Sequence, residues 1–271
     1  MTSVSTRESS QLPLGFVFSQ SSLQAYVDCP RSFQLRYLAR LNWPAIRAEP
    51  AAGMEMRQHE GQVFHALVQQ HRLGLPLEFL APLANSENVA RWWKSYLAAD
   101  LSLSGYTKYA EFRLSSPVGR YRLLAKYDLL ASKDGHFVIY DWKTSSERPE
   151  EGWLAARWQT LVYRALLVHA GAHLNGNQPI LPERITMVYW FPNFPLEPAA
   201  FPYDADSYRK EWAAIADLVT KISSATEFLP ATDDRRCHLC GYRSYCRQGE
   251  HFDADLSKDS ELRSSFDPAF D

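Results

Sequence analysis

An Asp-Gly pair at 134–135 stands between two apolar, alternating stretches in LLAKYDLLASKDGHFVIYDWKTS. Asp-Gly in that setting is among the strongest short-range signals for a β-hairpin with a two-residue turn, because both turn positions take positive φ. Such a turn leaves no freedom in register. Lys133 then faces His136, Leu130 faces Ile139, Asp128 faces Asp141 and Lys126 faces Lys143. Directly opposed side chains have Cβ atoms about 4.5–5.5 Å apart, so this register sets two carboxylates against each other. They repel unless something neutralises them, and a hard divalent cation held by carboxylate oxygens does that. A bulge would break the register, and from geometry alone a metal site and a chance placement stand level. Asp141 and Lys143 share one side of their strand. That spacing suits a structural ion pair, and equally a cation aimed at a phosphate or holding an attacking water.

The hairpin belongs to a longer meander. Residues 108–116, 120–132 and 136–143 read as three strands, punctuated by Pro-Val-Gly-Arg and Lys-Asp-Gly-His. Before them, a helix capped by Ser21 or Ser22 carries Leu23, Tyr26 and Val27, with a stop or kink at Pro30. Helices are expected over about 54–73 and 87–99. After the meander come a helix at about 151–170, a strand at 184–191 and a helix at about 205–224. Helices on a mixed central sheet give an α/β class.

With 46% hydrophobic residues among 271, the chain can bury a large core in a single domain. The expected boundaries are a polar, disordered 1–17, a domain over 18–250, and an acidic, mobile tail at 251–271. A formal charge of −2 neither marks nor excludes a nucleic-acid binder, because a local basic groove can be offset elsewhere. No apolar run approaches the roughly 20 residues that span a bilayer, and the N-terminus lacks the apolar core of a signal peptide. The expectation is a cytoplasmic protein without membrane contact, which argues against structural disulfides. The four cysteines then invite another use. Cys237, Cys240 and Cys246 form C-x2-C-x5-C, a chelating spacing, and Cys29 stands far away in the chain. Four thiolates can hold zinc or an iron–sulfur cluster. Either would staple segment 21–41 to segment 230–248, closing a very long loop.

Taken in order, these elements resemble the PD-(D/E)XK nuclease superfamily. The carriers are Gly61 and His65 in GQVFHALVQQH, Asp128, then Asp141-Trp142-Lys143-Thr144, and Gln159 and Tyr163 in RWQTLVYRALL. The G-x-x-x-H and Q-x-x-x-Y elements are similar to those of RecB-type nuclease domains. The cysteine arrangement is similar to that of AddB-type nucleases and CRISPR-associated adaptation exonucleases. The resemblance covers about Ser21 to Cys246 and implies a restriction-endonuclease-like core. It implies Mg²⁺ or Mn²⁺ held by His65, Asp128, Asp141 and the carbonyl of Trp142, with Lys143 as the catalytic lysine. Gln159 and Tyr163, on one helix face, would border the site. For Cys29, Cys237, Cys240 and Cys246 it favours a [4Fe–4S] cluster, with structural zinc as the alternative. Ala125 departs from the family's usual glycine three residues before the first aspartate.

The activity so implied is metal-dependent hydrolysis of DNA phosphodiesters. Exonuclease action on single strands or ends, in repair, recombination or CRISPR adaptation, is the expected form. A helicase or CRISPR adaptation proteins would be its partners. The alternative is a non-catalytic DNA-binding or assembly subunit of a helicase–nuclease complex on the same fold. The chain lacks a phosphate-binding G-x-x-x-x-G-K-[ST] loop, so any motor must come from a partner. Arg31, Arg36 and Arg40 after Cys29, with Arg235, Arg236, Arg243 and Arg247 around the later cysteines, suggest a basic patch for DNA. Tyr242 and Tyr245 would stack bases or cover the cluster. Glu111 reads either as an extra acid at the edge of the site or, the favoured reading, as a solvated residue, and His59 and His71 read as surface residues.

Overall fold

In a computed structural model, residues 11–41, 49–99, 103–232, 237, 240–242 and 246 are described. The expected tail at 251–271, residues 1–10, Tyr245 and Arg235, Arg236, Arg243 and Arg247 lie outside them.

The chain runs β1 (Val17–Ser19), α1 (Gln20–Asp28), α2 (Pro30–Phe33), α3 (Glu49–Arg72), α4 (Leu77–Leu80) and α5 (Glu87–Ala98). The meander follows as β2 (Thr107–Val118), β3 (Tyr121–Lys133) and β4 (His136–Trp142). Next come α6 (Glu151–Ala156), α7 (Trp158–Ala170), β5 (Ile185–Trp190), β6 (Ala199–Pro202) and α8 (Ala205–Ser224). Val17 already pairs in the sheet and Phe16 packs edge-on against Phe18 and Phe33. Order therefore begins before the expected boundary at 18. The cap of α1 is Ser19, not Ser21 or Ser22. Ser22 is its reciprocal partner, each hydroxyl accepting the other's backbone N–H. The helix expected over 151–170 is two helices, because Arg157 is extended at φ −68° and ψ 139° and turns the chain between them.

The sheet has six strands in the order β1-β3-β4-β5-β6, with β2 also on β3. β1–β3 and β4–β5 are parallel, and β2–β3, β3–β4 and β5–β6 are antiparallel. Asp134 and Gly135 both have positive φ, 51° and 74°, as the hairpin signal demands. The expected pairs Lys133–His136 and Leu130–Ile139 are present. The ladder stops at Leu129–Tyr140, however, one step before the two aspartates, so Asp128–Asp141 and Lys126–Lys143 do not form ladder pairs.

That stop has a cause in the sheet. β2 follows one edge of β3 almost throughout, while β1 and β4 share the other edge. β1 takes residues 122–124 and β4 takes residues 129–133, leaving 125–128 unpaired on that edge. The sheet forks there. The alternation of β2 and β3 also slips at the fork. Tyr109 and Phe112 pack against the same core, as do Tyr127 and Leu130, although each pair is three residues apart. Glu111, at φ 54°, and the facing Asp128 are skipped by the ladder, which resumes unshifted on either side. Both strands thus carry one out-of-ladder residue at the same level.

Two cores follow. Leu23, Tyr127, Ile139, Tyr163, Leu166, Met187 and Ile215 join α1, α7 and α8 to one face. Phe64, Leu67, Trp92, Trp93 and Tyr96 join α3 and α5 to Leu129, Trp142 and Trp190 on the other.

Candidate active site

The fork collects the polar side chains. β4 ends by carrying Asp141 into the interior, 2% exposed, with Lys143 following at 4%. Two charges that deep need partners, and α7 supplies them from Gln159. Its Nε2 donates to Asp141 Oδ1 at 2.6 Å, and its Oε1 accepts from Lys143 Nζ at 2.9 Å. An ammonium only donates, so the amide oxygen must face Lys143 and the amide nitrogen the carboxylate. Lys143 Nζ also lies 2.7 Å from Asp141 Oδ2. Among the described residues that buried oxygen has no other donor. It is a short ion pair, and a carboxylate oxygen has a second lone pair that a cation could share.

Asp128 belongs to a second group. Its Oδ2 accepts the backbone N–H of Trp142 at 2.9 Å, which joins β3 to β4 where the ladder has ended. The same oxygen lies 3.3 Å from His65 Nδ1 on α3. Gly61, one turn earlier on α3, explains the approach of that helix: a Cβ there would meet Thr144 Oγ1 at 3.0 Å. Glu111 completes the group. One donor atom from each of His65, Glu111 and Asp128 lies within 4.8 Å of the others. Glu111 also pairs with Lys126. Its side chain is 14% exposed, so the expectation of a solvated residue is corrected. The positive φ that lifts it out of the β2 ladder brings it to this group. Extending the Gly119-Arg120 hairpin register inward, through Val118–Tyr121, would have set Glu111 opposite Asp128.

The carboxylates are pushed apart in acidity. Burial pushes Asp141 up to about 6, the negative charge of Asp128 adds to the rise, and Lys143 opposes it. Burial also resists ionisation of Asp128, but His65, the Trp142 N–H and Lys143 outweigh it and hold that carboxyl below its usual range. Burial works to lower His65, and the Asp128 charge and hydrogen bond more than reverse it, leaving the imidazole raised.

The donor set fits a hard divalent cation. Carboxylates and an imidazole converge at the fork, and Asp141 retains an orphaned buried oxygen beside them. The tight group contains His65 and Asp128, as expected, but Glu111 takes the place expected of Asp141. Asp141 is committed through one oxygen to Gln159. The Trp142 ring packs among Tyr96, Tyr140 and Trp190, so only its backbone is placed for polar work.

Tyr163 lies one turn beyond Gln159 but does not reach the carboxylates. Its hydroxyl donates to the Lys126 carbonyl at 2.6 Å and accepts from Gln20 Nε2 at 3.3 Å. It therefore satisfies backbone on the unpaired edge of β3, where a strand would otherwise be. Asn193 carries no sequence signal that points to the site. Its Nδ2 donates to Ser145 O at 2.7 Å and its Oδ1 accepts from Trp92 Nε1 at 2.8 Å, clamping the segment after Lys143 to α5. His71, expected at the surface, is half-buried between Trp93 and Tyr96, with Nδ1 2.9 Å from the Tyr96 hydroxyl.

The cysteines converge as well. All four are free and partly buried. Burial raises the Cys240 thiol to about 11, and the charges of Cys246, Cys29 and Cys237 reinforce the rise. Arg31 N donates to Leu229 O at 3.2 Å and Ala231 N to Cys29 Sγ at 3.4 Å, so the C-terminal segment returns to the start of α2. Tyr242, buried, donates to Leu41 O at 3.2 Å, a structural bond and not a base-stacking position.

The model of the PD-(D/E)XK nuclease superfamily matches residues 17–247, including every side chain of the fork. This chain belongs to that superfamily. A solved structure from Eubacterium rectale, described as a "Putative exonuclease", is 12% identical. The alignment covers 89% of this chain and 93% of that one at a TM-score of 0.53, and shows a shared fold. The crystal structure of SSO0001 is 13% identical over 88% of each chain, at a TM-score of 0.40 that is too low to argue from. No curated protein matches. Among the described residues, no helix of this superfamily member is long and apolar enough to cross a membrane.

Proposed function

We propose that the protein hydrolyses DNA phosphodiester bonds with Mg²⁺ or Mn²⁺, as an exonuclease acting on single strands or ends. The observation carrying this reading is the buried Asp141–Gln159–Lys143 unit set beside the His65–Glu111–Asp128 donors. His65, Asp128 and Glu111, with Oδ2 of Asp141 and the Trp142 carbonyl, would hold the cation. A divalent cation held there supplies positive charge beside a phosphate and makes water a better nucleophile at neutral pH. Lys143 keeps its ammonium at the end of β4, where it stabilises charge building on a phosphoryl group or orients the attacking water. Gln159 fixes both partners, so neither reorganises during reaction. The closed interior around Asp141 and Lys143 excludes bulk water and strengthens these interactions.

Labelled single- and double-stranded DNA, incubated with Mn²⁺ or Mg²⁺ and with EDTA as control, tests this. Cleavage is expected with metal only, and Asp141→Ala or Lys143→Ala should abolish it while far-UV circular dichroism stays native. Retained cleavage in both variants would remove the assignment. The four thiols support a [4Fe–4S] cluster as a second, structural group. Anaerobic preparations should show broad visible absorption with about four iron atoms per chain, and stoichiometric zinc in a colourless protein would replace the cluster with zinc. Service in repair, recombination or CRISPR adaptation, beside a helicase or adaptation proteins in the cytoplasm, is the setting this activity suits.

A further inference from the structure

Beyond the fork, the β2–β3 hairpin has a face that, among the described residues, the helices leave open. Phe112, Leu114, Val118, Leu123, Ala125 and Tyr127 turn to the core. The opposite positions are Arg113, Ser115 and Pro117 on β2, facing Lys126, Leu124 and Arg122 on β3. Arg113, Arg122 and Lys126 are exposed. Arg113 and Lys126 are direct cross-strand partners, a like-charge juxtaposition that works against the hairpin. None of these six positions is acidic. Among the described residues, Arg113 has no acidic partner, Arg122 donates to Ser115 Oγ at 2.6 Å, and Lys126 pairs with Glu111 at the inner end. The cations line up toward the site, since Lys126 and Asp128 are two residues apart on β3, about 7 Å along the strand.

We propose that Arg113, Lys126 and Arg122 form a seat for consecutive phosphates of the strand that enters the fork. The seat rests on the nuclease reading and adds to it the path of the substrate. A polyanion relieves the Arg113–Lys126 repulsion, which gives the facing pair a use.

The test is fluorescence anisotropy of a labelled single-stranded oligonucleotide with the full-length protein, in EDTA so that nothing is cleaved, across a KCl series. Arg113→Gln/Lys126→Gln should bind about tenfold more weakly at low salt. Its log–log salt slope should be shallower by about 0.7 for each phosphate that is no longer neutralised. Arg122→Gln should give a smaller change of the same kind. Arg113→Lys/Lys126→Arg should retain the slope, and Lys210→Gln on α8 should change nothing. Thermal melts check that the exposed substitutions leave folding intact. If the double neutralisation binds within twofold of wild type at unchanged slope, while wild type binds and cleaves, the seat is wrong and the nuclease reading stands. If wild type neither binds nor cleaves DNA, both fall.

Discussion

Gly61 allows the spacing of the site to be measured as an energy. α3 carries two glycines, and an added Cβ meets nothing within 4 Å at Gly53 but meets Thr144 Oγ1 at 3.0 Å at Gly61. Replacing either by alanine gains about 1 kcal/mol of helix propensity. At Gly61 the forced contact costs about 1–3 kcal/mol in return. Thr144 is buried and the next carbonyl is held by Asn193, so the segment cannot recoil freely. Gly53→Ala should therefore raise the melting temperature by about 2–4 °C, whereas Gly61→Ala should leave it unchanged or lower it. Thr144→Ala removes the opposing oxygen. In that background Gly61→Ala should recover its helix-propensity gain, giving a coupling of about 1–3 kcal/mol in the double-mutant cycle. Cleavage by Gly61→Ala alone should fall by about 10²-fold, because His65 and Lys143 are carried on the two segments pushed apart. Thermal unfolding followed by circular dichroism gives the energies, and hydrolysis of a labelled strand gives the rate. If Gly61→Ala stabilises as much as Gly53→Ala and cleaves at the wild-type rate, the close approach of α3 does not set the site.

Gln159→Leu strips both hydrogen bonds from a buried charge pair. At about 1.5–3 kcal/mol for each hydrogen bond to a charged group, it should destabilise the protein by about 3–6 kcal/mol in urea titrations and reduce cleavage at least a hundredfold. Tyr163→Phe leaves the Lys126 carbonyl without its donor, so a loss of about 1–3 kcal/mol in stability with near-normal cleavage is expected. Loss of cleavage at unchanged stability would make the hydroxyl catalytic instead. Asp141, raised by burial to about 6, binds its proton more tightly folded than unfolded. This stabilises the metal-free protein below the ordinary carboxylate pKa and is lost as pH rises through about 6. His65, raised by Asp128, acts in the same direction over a higher range, while the lowered Asp128 contributes stability that is lost only on acidification. Metal-free melting temperatures should therefore decline from pH 5 to pH 7. Mn²⁺ affinity by calorimetry should rise over that interval with proton release, and a pH-independent affinity would count against Asp141 and His65 as ligands.

The readable parts of this chain are those set by short-range rules. The turn at Asp134-Gly135 sets the hairpin register as far as Leu129–Tyr140, and apolar period places α5 and α8 almost to the residue. What eludes reading depends on partners remote in sequence. β1 has 3 residues and exists because β3 offers an edge. β6 is a similarly short strand defined by β5. Asp128 and Asp141 are adjacent through the fork and not through the ladder, since the two-residue turn cannot announce that β1 will claim the edge that β4 gives up. Glu111 looks like any strand acid until its positive φ turns it inward. Asn193 belongs to no motif at all, and only the close packing of α5 against the end of β4 gives its amide a task.

The forked edge of β3 also has a mechanical meaning. A continuous sheet resists bending through its row of amide bonds, but across residues 125–128 that row is replaced by isolated side-chain ties. They are the Tyr163 hydroxyl on Lys126 and the Asp128 carboxylate on the Trp142 amide. The two aspartates thus sit where one edge of β3 has no ladder bonds to a neighbouring strand. A relative displacement of the two arms of the sheet would therefore break only these ties and leave both flanking ladders zipped.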